Sequence, residues 1–412
     1  GGIPDLVVTS TFSGTKNPET LYAEEHKIPM MGYMEVFSTY FIRKNSIVCT
    51  GTWGKTSSSA LLSYIFEQAG LKPTYMFGGI SLSHEASAKL SDSDWSVFEG
   101  DEYKSSPTDL RPKFFHYNPT HLLLTAVSWD HADLYPTEES YFDVFNKLIS
   151  RIPSTGVIVA CTDNAGVQKV ISSIPGTSQT RIVTYGAKAE HNPDFLYKNI
   201  KETSKGISFE IDHEGRKYEV KSNLLGGFQA DNITGCFAMS TACGIDPTQT
   251  LEAIAEFKGI KRRLQKRLDA EDSSKGVTII DDIAHSPEKA SSVLQSLRKV
   301  YSGSILAIFE PNIGGRKSEA AEMYGDAFSA ADRVIIPRLT KLKVSDDDST
   351  QPIEGPQLAD IISRTHSNTS CIEDDSVLVE SIISNAKKGD VIAFLGSHGF
   401  RSMIEETIER MK

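Results

Sequence analysis

Short apolar runs alternate with longer segments of mixed polarity along most of the chain. From residue 46 onward, runs bounded by turn residues read SIVCT, WSVFEG, HLLLTAVSW, GVIVAC and RIVTYG. Runs of this length without polar alternation are typical of parallel strands that are buried on both faces. The first run leads through two glycines into the helical pattern SSSALLSYIFEQAG, which Gly70 is suited to end. The pattern therefore predicts an α/β domain built on a parallel sheet.

The pattern changes twice further along the chain. ISFEIDHEGRKYEVKSNLLG predicts an antiparallel hairpin that turns at His213–Gly215, and NITGCFAMSTACGI predicts an apolar helix. After AEFKGIKRRLQKR, the alternation restarts with GVTIIDDIAHSPEKASSVLQSLRKVY, SILAIFEPN and GDVIAFLGSHGFRSMIEETIERM. This restart predicts a second doubly wound domain. The acidic segment Lys343–Gln357 is expected to be a solvated, mobile loop.

The first 44 residues read as strand, helix, strand and helix, which is too small a piece to bury a core by itself. We therefore expect it to be part of a domain whose beginning is missing from the sequence. The predicted divisions of the 412 residues are 1–44, 45–257 and 258–412. Two or three domains are what a chain of this length usually forms.

Composition and charge narrow the class of protein. Apolar residues make up 39% and charged residues 24%, which is ordinary for a globular protein. The chain has no run of ~18 apolar residues, so we expect no membrane span. The N-terminus shows no secretion signal, and the five scattered cysteines favour reduced thiols. We therefore expect a cytoplasmic protein. The net charge of −11 argues against a nucleic-acid partner but not against small anionic substrates.

A glycine loop is the first candidate for chemistry. The segment TGTWGKTS follows a predicted strand and opens a helix, where backbone N–H groups can bind phosphate oxygens. Lys55 would reach the β- and γ-phosphates of a nucleotide, and the Thr56 hydroxyl would bind Mg²⁺. The alternative is a structural turn with a surface lysine, which this strand–helix context disfavours. The candidate nucleotide-binding residues are Thr50, Gly51, Thr52, Trp53, Gly54, Lys55, Thr56 and Ser57.

Acidic residues mark the ends of two predicted strands. In SVFEGDEY, Glu99 is expected just past a buried strand, and Asp130 and His131 follow HLLLTAVSW. Ligands of open α/β sheets bind at the carboxyl ends of strands, so Thr56, Glu99 and His131 are the predicted metal ligands. Asn232 offers an amide that suits the edge of an adenine ring, although a buried or capping asparagine is an equal alternative.

The last predicted domain supplies further candidates. Arg263 could bind a phosphate of the nucleotide and Asp282 could bind its ribose, both from the side opposite the glycine loop. His285 lies beside them in the sequence, while Arg316 and Lys317 form either an anion clamp or a basic loop. The other candidates for substrate contact are Ser10, His84, Asp101 and Tyr103.

Taken in order and spacing, the motifs resemble those of the Mur ligase family over essentially the whole chain. They are TGTWGKTS, EGDEY, SWDHAD, the asparagine-bearing helix after GG, KRRL and DDIAHSP. Members of that family are ATP-dependent ligases that form amide bonds in peptidoglycan synthesis. The resemblance implies a first domain for a UDP sugar, here truncated, a P-loop domain for ATP, and a Rossmann-like domain for the incoming amine.

The resemblance also implies roles for single residues. Lys55 and Thr56 would serve phosphates and Mg²⁺, Asn232 would serve adenine, and ATP and Mg²⁺ would be the cofactors. The implied catalytic set is Lys55, Glu99, His131, Arg263 and Asp282. The chain departs from the family at Trp53, Phe228–Gln229 and Ser286, where histidine, His-Asn and histidine are usual.

The segment DEY…LRPKFFHYNPTHLLLTAVSWDHADLYP favours one subgroup. That subgroup joins L-alanyl-γ-D-glutamyl-meso-diaminopimelate to UDP-N-acetylmuramate through an acyl phosphate, in peptidoglycan recycling. The alternatives are the addition of a single L-alanine to the same sugar nucleotide, and a nucleotide-binding paralogue without catalysis. A dehydrogenase is disfavoured because no G-x-G-x-x-G follows the strands of the last predicted domain.

Overall fold

Parallel sheets form the framework of the structure, a computed structural model that describes residues 2–10, 17–106, 109–176, 179–341 and 352–412. The chain forms two compact units. The first comprises residues 1–201, 208–223 and 228–259, and the second comprises residues 202–207, 224–227 and 260–412. The three-part division expected from the sequence stays a prediction. Residues 343–351 of the acidic segment lie outside the described residues.

The strands as the structure has them are β1 Val7–Thr9, β2 Met30–Gly32, β3 Asn45–Thr50, β4 Thr74–Met76, β5 Ala88–Lys89, β6 Trp95–Gly100, β7 His121–Leu124, β8 Val157–Cys161, β9 Arg181–Gly186, β10 Phe195–Thr203, β11 Gly206–His213, β12 Arg216–Ser222, β13 Gln265–Leu268, β14 Thr278–Asp282, β15 Ile305–Glu310, β16 Arg333–Pro337, β17 Thr369–Ile372 and β18 Val391–Gly396.

The α-helices are α1 Pro18–Glu25, α2 Tyr33–Tyr40, α3 Lys55–Gln68, α4 Glu138–Ile149, α5 Ala165–Ser172, α6 Gln229–Ala242, α7 Pro247–Glu256, α8 Pro287–Val300, α9 Gly355–Ser363, α10 Asp375–Asn385 and α11 Met403–Met411. Short 3₁₀ helices span Lys113–His116, Ala189–His191, Gly314–Arg316, Ser318–Tyr324 and Phe400–Ser402.

One large sheet carries the first candidate site. Its described strands run in the order β12-β11-β10-β9-β8-β7-β3-β6-β4-β5. β3 lies between β7 and β6 and is parallel to both, so the carboxyl ends of these three strands meet at one edge. Ile47, Val48 and Cys49 of β3 have no exposed surface, as expected for a strand covered on both faces. This confirms the predicted parallel α/β sheet.

β7 is shorter than the apolar run predicted. It ends at Leu124 instead of continuing to Trp129. Thr125 N still donates to Thr50 O of β3 (3.0 Å), but the contacts then pass to the glycine loop, since Ala126 O accepts from Thr52 N (2.8 Å) and Thr125 Oγ1 donates to Trp53 O (2.5 Å). Apolar character alone could not show this change of partner.

The hairpin β11–β12 follows the prediction. Its two connecting residues, Glu214 and Gly215, both have positive φ (51° and 75°), as a two-residue type I′ turn requires. At the N-terminal end, β1 pairs parallel with β2, as the strand–helix–strand–helix pattern suggested. Among the described residues, no helix is both long enough and apolar enough to cross a bilayer.

The second unit is built on a sheet of order β13-β14-β18-β15-β16-β17, parallel except for β13. Successive residues of β14 point to opposite faces, so Ile280 joins one buried cluster and Ile279 the other. Helices α8 and α9 supply side chains to the first cluster, and α10 and α11 to the second. This two-sided packing confirms the predicted Rossmann-like sheet.

Candidate functional site

Two glycines give the loop between β3 and α3 its shape. Gly51 and Gly54 have φ of 138° and 84°, which L side chains rarely adopt. A Cβ on Gly51 would lie 2.4 Å from Thr125 Oγ1, and one on Gly54 would lie 2.5 Å from Asn232 Oδ1. The loop is therefore packed closely against the end of β7 and against α6. Its N–H groups lie at the N-terminus of α3, which is where backbone N–H groups can bind a phosphate.

Lys55 is held at the first turn of α3. Its Nζ donates to Gly51 O (2.7 Å) and lies 3.0 Å and 2.9 Å from the two carboxylate oxygens of Glu102. Burial raises the pKa of Glu102, and the Lys55 charge opposes that rise. The lysine is thus close to the backbone that would receive phosphate, with a buried carboxylate as its counter-ion.

Thr56 and Glu99 lie together as the sequence suggested. Thr56 Oγ1 donates to Glu99 Oε1 (2.7 Å), and Glu99 Oε2 accepts from Gly78 N (2.6 Å). Glu99 is the penultimate residue of β6 rather than a residue beyond it, and pairs with Cys49 of β3. The ladder therefore fixes this carboxylate beside the first turn of α3.

A second group of donors involves a residue that the sequence reasoning missed. Glu102, Asp130 and His131 each place one ligand atom within 4.8 Å of the others. His131 Nε2 lies 3.7 Å from Glu102 Oε1 and 3.9 Å from Asp130 Oδ2. The signal for Glu102 was its place two residues after β6, at the edge where β3 and β7 also end.

These donors fit Mg²⁺. The ion prefers oxygen ligands and keeps several waters, so it needs only one or two protein carboxylates beside phosphate. At the first candidate metal position, Thr56 offers a hydroxyl and Glu99 a carboxylate. At the second, Glu102 and Asp130 each offer a carboxylate. His131 is a less usual ligand for this ion.

Asp101 and Tyr103 flank the second group. Asp101 Oδ2 accepts from Lys113 Nζ (2.6 Å) and Tyr103 OH donates to Asp133 Oδ2 (2.9 Å). Burial acts to raise the pKa of Asp101, but Lys113 outweighs it and the pKa is lowered. The Tyr103 ring lies 5.0 Å from the His131 ring, so both predicted substrate residues stand next to the metal candidates.

Asn232 lies on α6 beside the glycine loop. Its Nδ2 donates to Gln229 Oε1 (3.2 Å), and only 7% of the residue is exposed. The amide is thus turned toward Gly54 and Gln229 rather than toward solvent. Of the predicted loop residues, Thr50 donates to Gly100 O and Thr52 to Ser128 O, while Ser57 lies half-buried on the first turn of α3.

Arg263, Asp282 and His285 belong to the second unit. Arg263 is exposed, whereas Asp282 is buried and accepts from Leu264 N (2.6 Å) and Ala284 N (2.7 Å). Burial raises the pKa of Asp282 despite these two bonds. His285 donates from Nδ1 to Ile283 O (2.7 Å), and burial lowers its pKa. Asp282 therefore holds the turn that carries Arg263.

A charged cluster lies at the carboxyl ends of the second sheet. Glu310, the last residue of β15, is 1% exposed, and its Oε1 accepts from Thr340 N (2.8 Å) and Oγ1 (2.7 Å). Its Oε2 has no hydrogen-bond partner among the described residues, with Arg401 Nη1 3.7 Å away. Arg401 is bound through two donors to Asp375 (2.8 and 2.9 Å). No residue pattern around Glu310 predicts this buried oxygen without a hydrogen-bond partner.

Four predicted substrate residues have other surroundings. Arg316 is buried and donates to Ile353 O, Thr340 O and Glu354 Oε1, so it ties a loop together, while Lys317 is exposed. His84 has a buried ring 3.2 Å from Ser63 Oγ and 2.8 Å from Ser81 Oγ. Ser10 is exposed just after β1.

Comparison with known proteins agrees with this geometry. Two family profiles match the chain, the Mur ligase middle domain over residues 49–240 and the Mur ligase glutamate ligase domain over residues 262–398. The UDP-N-acetylmuramate–L-alanine ligase of Caldanaerobacter subterraneus subsp. tengcongensis is 28% identical over 411 residues, or 99% of this chain and 85% of that protein.

Solved structures resemble the chain over nearly its full length. The UDP-N-acetylmuramate–alanine ligase of Thermotoga maritima has a TM-score of 0.75 at 22% identity, with 99% of this chain and 85% of that chain covered. A murein peptide ligase from Psychrobacter arcticus 273-4 has a TM-score of 0.64 at 20% identity, with 98% and 85% covered. These likenesses confirm the predicted Mur ligase fold.

The predicted addition of a tripeptide is wrong. Curated relatives that are 25–29% identical over 95–99% of the chain are named UDP-N-acetylmuramate–L-alanine ligases. The segment that favoured the tripeptide subgroup includes Glu102, which pairs with Lys55, His131, which lies beside Glu102, and Tyr103, whose ring lies beside that of His131. These residues belong to the candidate phosphate and metal site of the first unit, so they do not indicate which amine is added.

Gly54→Ala is expected to lower turnover roughly 100-fold, because the added Cβ meets the Asn232 side chain and displaces the phosphate loop. Gly70→Ala is the matched control, since Gly70 also has positive φ (77°) but a Cβ there would meet nothing within 4 Å. Gly70→Ala therefore introduces the same backbone strain as Gly54→Ala, but its Cβ does not clash with a neighbouring side chain. ATP titration and steady-state rates of the two variants would measure the difference, and equal losses would contradict the packing argument.

His84→Gln is expected to flatten the pH dependence of stability. Burial lowers the pKa of His84 from 6.5 to about 4, although Glu67 nearby opposes the shift. Between pH 6.5 and about pH 4, His84 is therefore protonated in the unfolded chain but not in the folded chain. The free energy of unfolding falls as the pH is lowered through that range. The loss should be on the order of 2 kcal/mol.

Urea unfolding of both proteins between pH 7 and pH 4 would measure that contribution. His26→Gln is the control because His26 is exposed, and its curve should run parallel to that of the unchanged chain. A His84→Gln curve that is also parallel would contradict the assignment.

Proposed function

Because the chain belongs to the Mur ligase family and is an ATP-dependent ligase that forms C–N bonds, we propose that it joins L-alanine to UDP-N-acetylmuramate. The observation that carries the proposal is the set of near-full-length relatives that bear this name.

The first unit would carry out phosphate transfer. A carboxylate oxygen of UDP-N-acetylmuramate attacks the γ-phosphorus of ATP, ADP leaves, and an acyl phosphate forms. Loop N–H groups and the Lys55 ammonium hold the phosphates, where charge spreads during the transfer. Mg²⁺ bound by Thr56 and Glu99, and a second ion at Glu102, Asp130 and His131, would neutralise phosphate charge.

The Glu102 carboxylate would keep Lys55 in place between turnovers. Their separation of about 3 Å and the burial of Glu102 make this an ion pair that solvent screens little. When a γ-phosphate accepts from Lys55, Glu102 would be free to serve the second cation. The same buried carboxylate thus serves a lysine or a metal, depending on the charge nearby.

The second unit would bind the amine. An amino acid presents an ammonium group and a carboxylate, which require an anion and a cation at short range. Glu310 supplies a buried carboxylate oxygen without a hydrogen-bond partner among the described residues, and Arg401 and Arg338 supply cations around Asp375. The ammonium first gives up a proton to solvent. The amine nitrogen then attacks the acyl carbon, loses a second proton, and phosphate leaves from the tetrahedral intermediate.

The proposed activity predicts phosphate release that depends on L-alanine. With ATP, Mg²⁺ and UDP-N-acetylmuramate present, adding L-alanine should raise phosphate release and give one equivalent of amide product, measured by mass spectrometry. L-Alanyl-γ-D-glutamyl-meso-diaminopimelate in place of L-alanine should give far less product. Equal rates with and without any amine would refute ligation, and a preference for the tripeptide would refute the choice of L-alanine.

Glu310→Gln is expected to raise the KM for L-alanine by roughly tenfold or more, since a buried charged hydrogen bond to the ammonium is lost. The glutamine can still accept from Thr340, so the fold should persist. Glu409→Gln is the control, because Glu409 is an exposed acid of the same unit. The KM for ATP should not change in either variant. An unchanged KM for L-alanine in Glu310→Gln would remove Glu310 from the amine site.

A further inference from the structure

Tyr135 is a buried tyrosine that connects the loops after two neighbouring strands. Only 6% of the residue is exposed, and its OH donates to the main-chain oxygen of Glu102 (2.5 Å). Glu102 lies two residues beyond the end of β6, so its carbonyl has already left the strand ladder. Among the described residues, no other donor reaches that oxygen. The tyrosine hydroxyl therefore satisfies a carbonyl that the sheet leaves open.

The main chain of the same tyrosine is bound to the loop after β7. Tyr135 N donates to His131 O (2.8 Å), and so does Leu134 N (2.9 Å). These two bonds close a turn at His131, whose φ of 53° is uncommon for a residue other than glycine. Trp129 Nε1 donates to Tyr135 O (2.9 Å) and ties the turn back to the segment before it. Tyr135 therefore binds one loop through its side chain and the other through its backbone.

These two loops carry the second candidate metal group. Glu102 comes from the loop after β6, and Asp130 and His131 come from the loop after β7. Glu102 Oε1 and His131 Nε2 lie 3.7 Å apart, which is too far for a hydrogen bond to fix their separation. Glu102 is also the carboxylate that pairs with Lys55. The bonds of Tyr135 therefore set where this carboxylate lies relative to both the lysine and the other two donors.

We propose that Tyr135 is a positioning residue for the Glu102 carboxylate, and that it sets the affinity of the second candidate metal position without being a ligand there. Loss of a group that orients a metal ligand commonly costs 10- to 100-fold in metal affinity. Without the hydroxyl, the Glu102 carbonyl would be buried without a donor, which favours movement of its loop. The first candidate position, at Thr56 and Glu99, is held by α3 and by the β3–β6 ladder and would keep its geometry.

Tyr135→Phe tests the proposal, because it removes one oxygen atom and keeps the buried ring. Tyr324→Phe is the control, since Tyr324 is also buried and its OH donates to a main-chain oxygen, that of Gly315 (2.7 Å). Both variants lose the same kind of bond, so urea unfolding should show similar losses of stability. Mn²⁺ is the probe, because it takes the same oxygen ligands as Mg²⁺ and is counted directly by electron paramagnetic resonance.

With a non-hydrolysable ATP analogue bound, the unchanged chain should bind two Mn²⁺ ions. Tyr135→Phe should weaken the second ion roughly 10- to 100-fold and leave the first unchanged. Tyr324→Phe should leave both ions unchanged. In turnover, Tyr135→Phe should raise the Mg²⁺ concentration that gives half the maximal rate, while the KM for UDP-N-acetylmuramate stays the same.

The outcomes separate this inference from the proposed function, on whose second cation it rests. A second Mn²⁺ ion that binds Tyr135→Phe as tightly as the unchanged chain would overturn the inference alone. Equal weakening of both ions, or the same weakening in Tyr324→Phe, would mean that the hydroxyl only stabilises the fold and would also overturn it. A single bound ion in the unchanged chain would refute the second cation, and the inference with it. Failure to use L-alanine would leave these measurements unaffected.

Discussion

The structure depends on a close approach of backbone to side chain at two glycines. Gly51 lies against Thr125 and Ala126, and Gly54 lies against Asn232, at distances that no Cβ could share. These contacts set where α3 begins, and therefore where Lys55 and Thr56 point. They also join the end of β7 and the start of α6 to the same loop, so residues distant in sequence are held together around it.

Electrostatics at this loop follow from that packing. Lys55 is the cation expected at a phosphate site, and the fold places a buried carboxylate, Glu102, within about 3 Å of it. Removing one member of such a pair leaves an uncompensated buried charge, which is costly. Glu102 also borders Asp130 and His131, so the same carboxylate pairs with the lysine and belongs to the candidate cation site. The pairing with Lys55 offsets part of the cost of burying this acid.

Most of the fold could be predicted because strand periodicity and glycine position are local signals. WSVFEG and RIVTYG match β6 and β9 residue for residue, and Gly70 follows α3 in the left-handed conformation. The end of β7 could not be predicted, because Ala126 bonds Thr52 and the Thr125 side chain bonds Trp53, both in a loop some 70 residues earlier in the chain. Likewise, Glu102 and Glu310 are ordinary acids in the sequence, and only burial and an open oxygen distinguish them.

The choice of amine shows the limit of motif reading most clearly. The segment from Asp101 to Pro136 predicts the tripeptide as the amine, yet its polar residues lie around Lys55 and the candidate metal ligands. Residues that act on ATP perform the same chemistry whichever amine is added afterwards, so their identities do not indicate the amine. The residues that could report it lie at the carboxyl ends of the second sheet, around Glu310 and Asp375. Specificity for the amine has to be sought there, in a cluster assembled from the ends of four strands, which no single stretch of sequence displays.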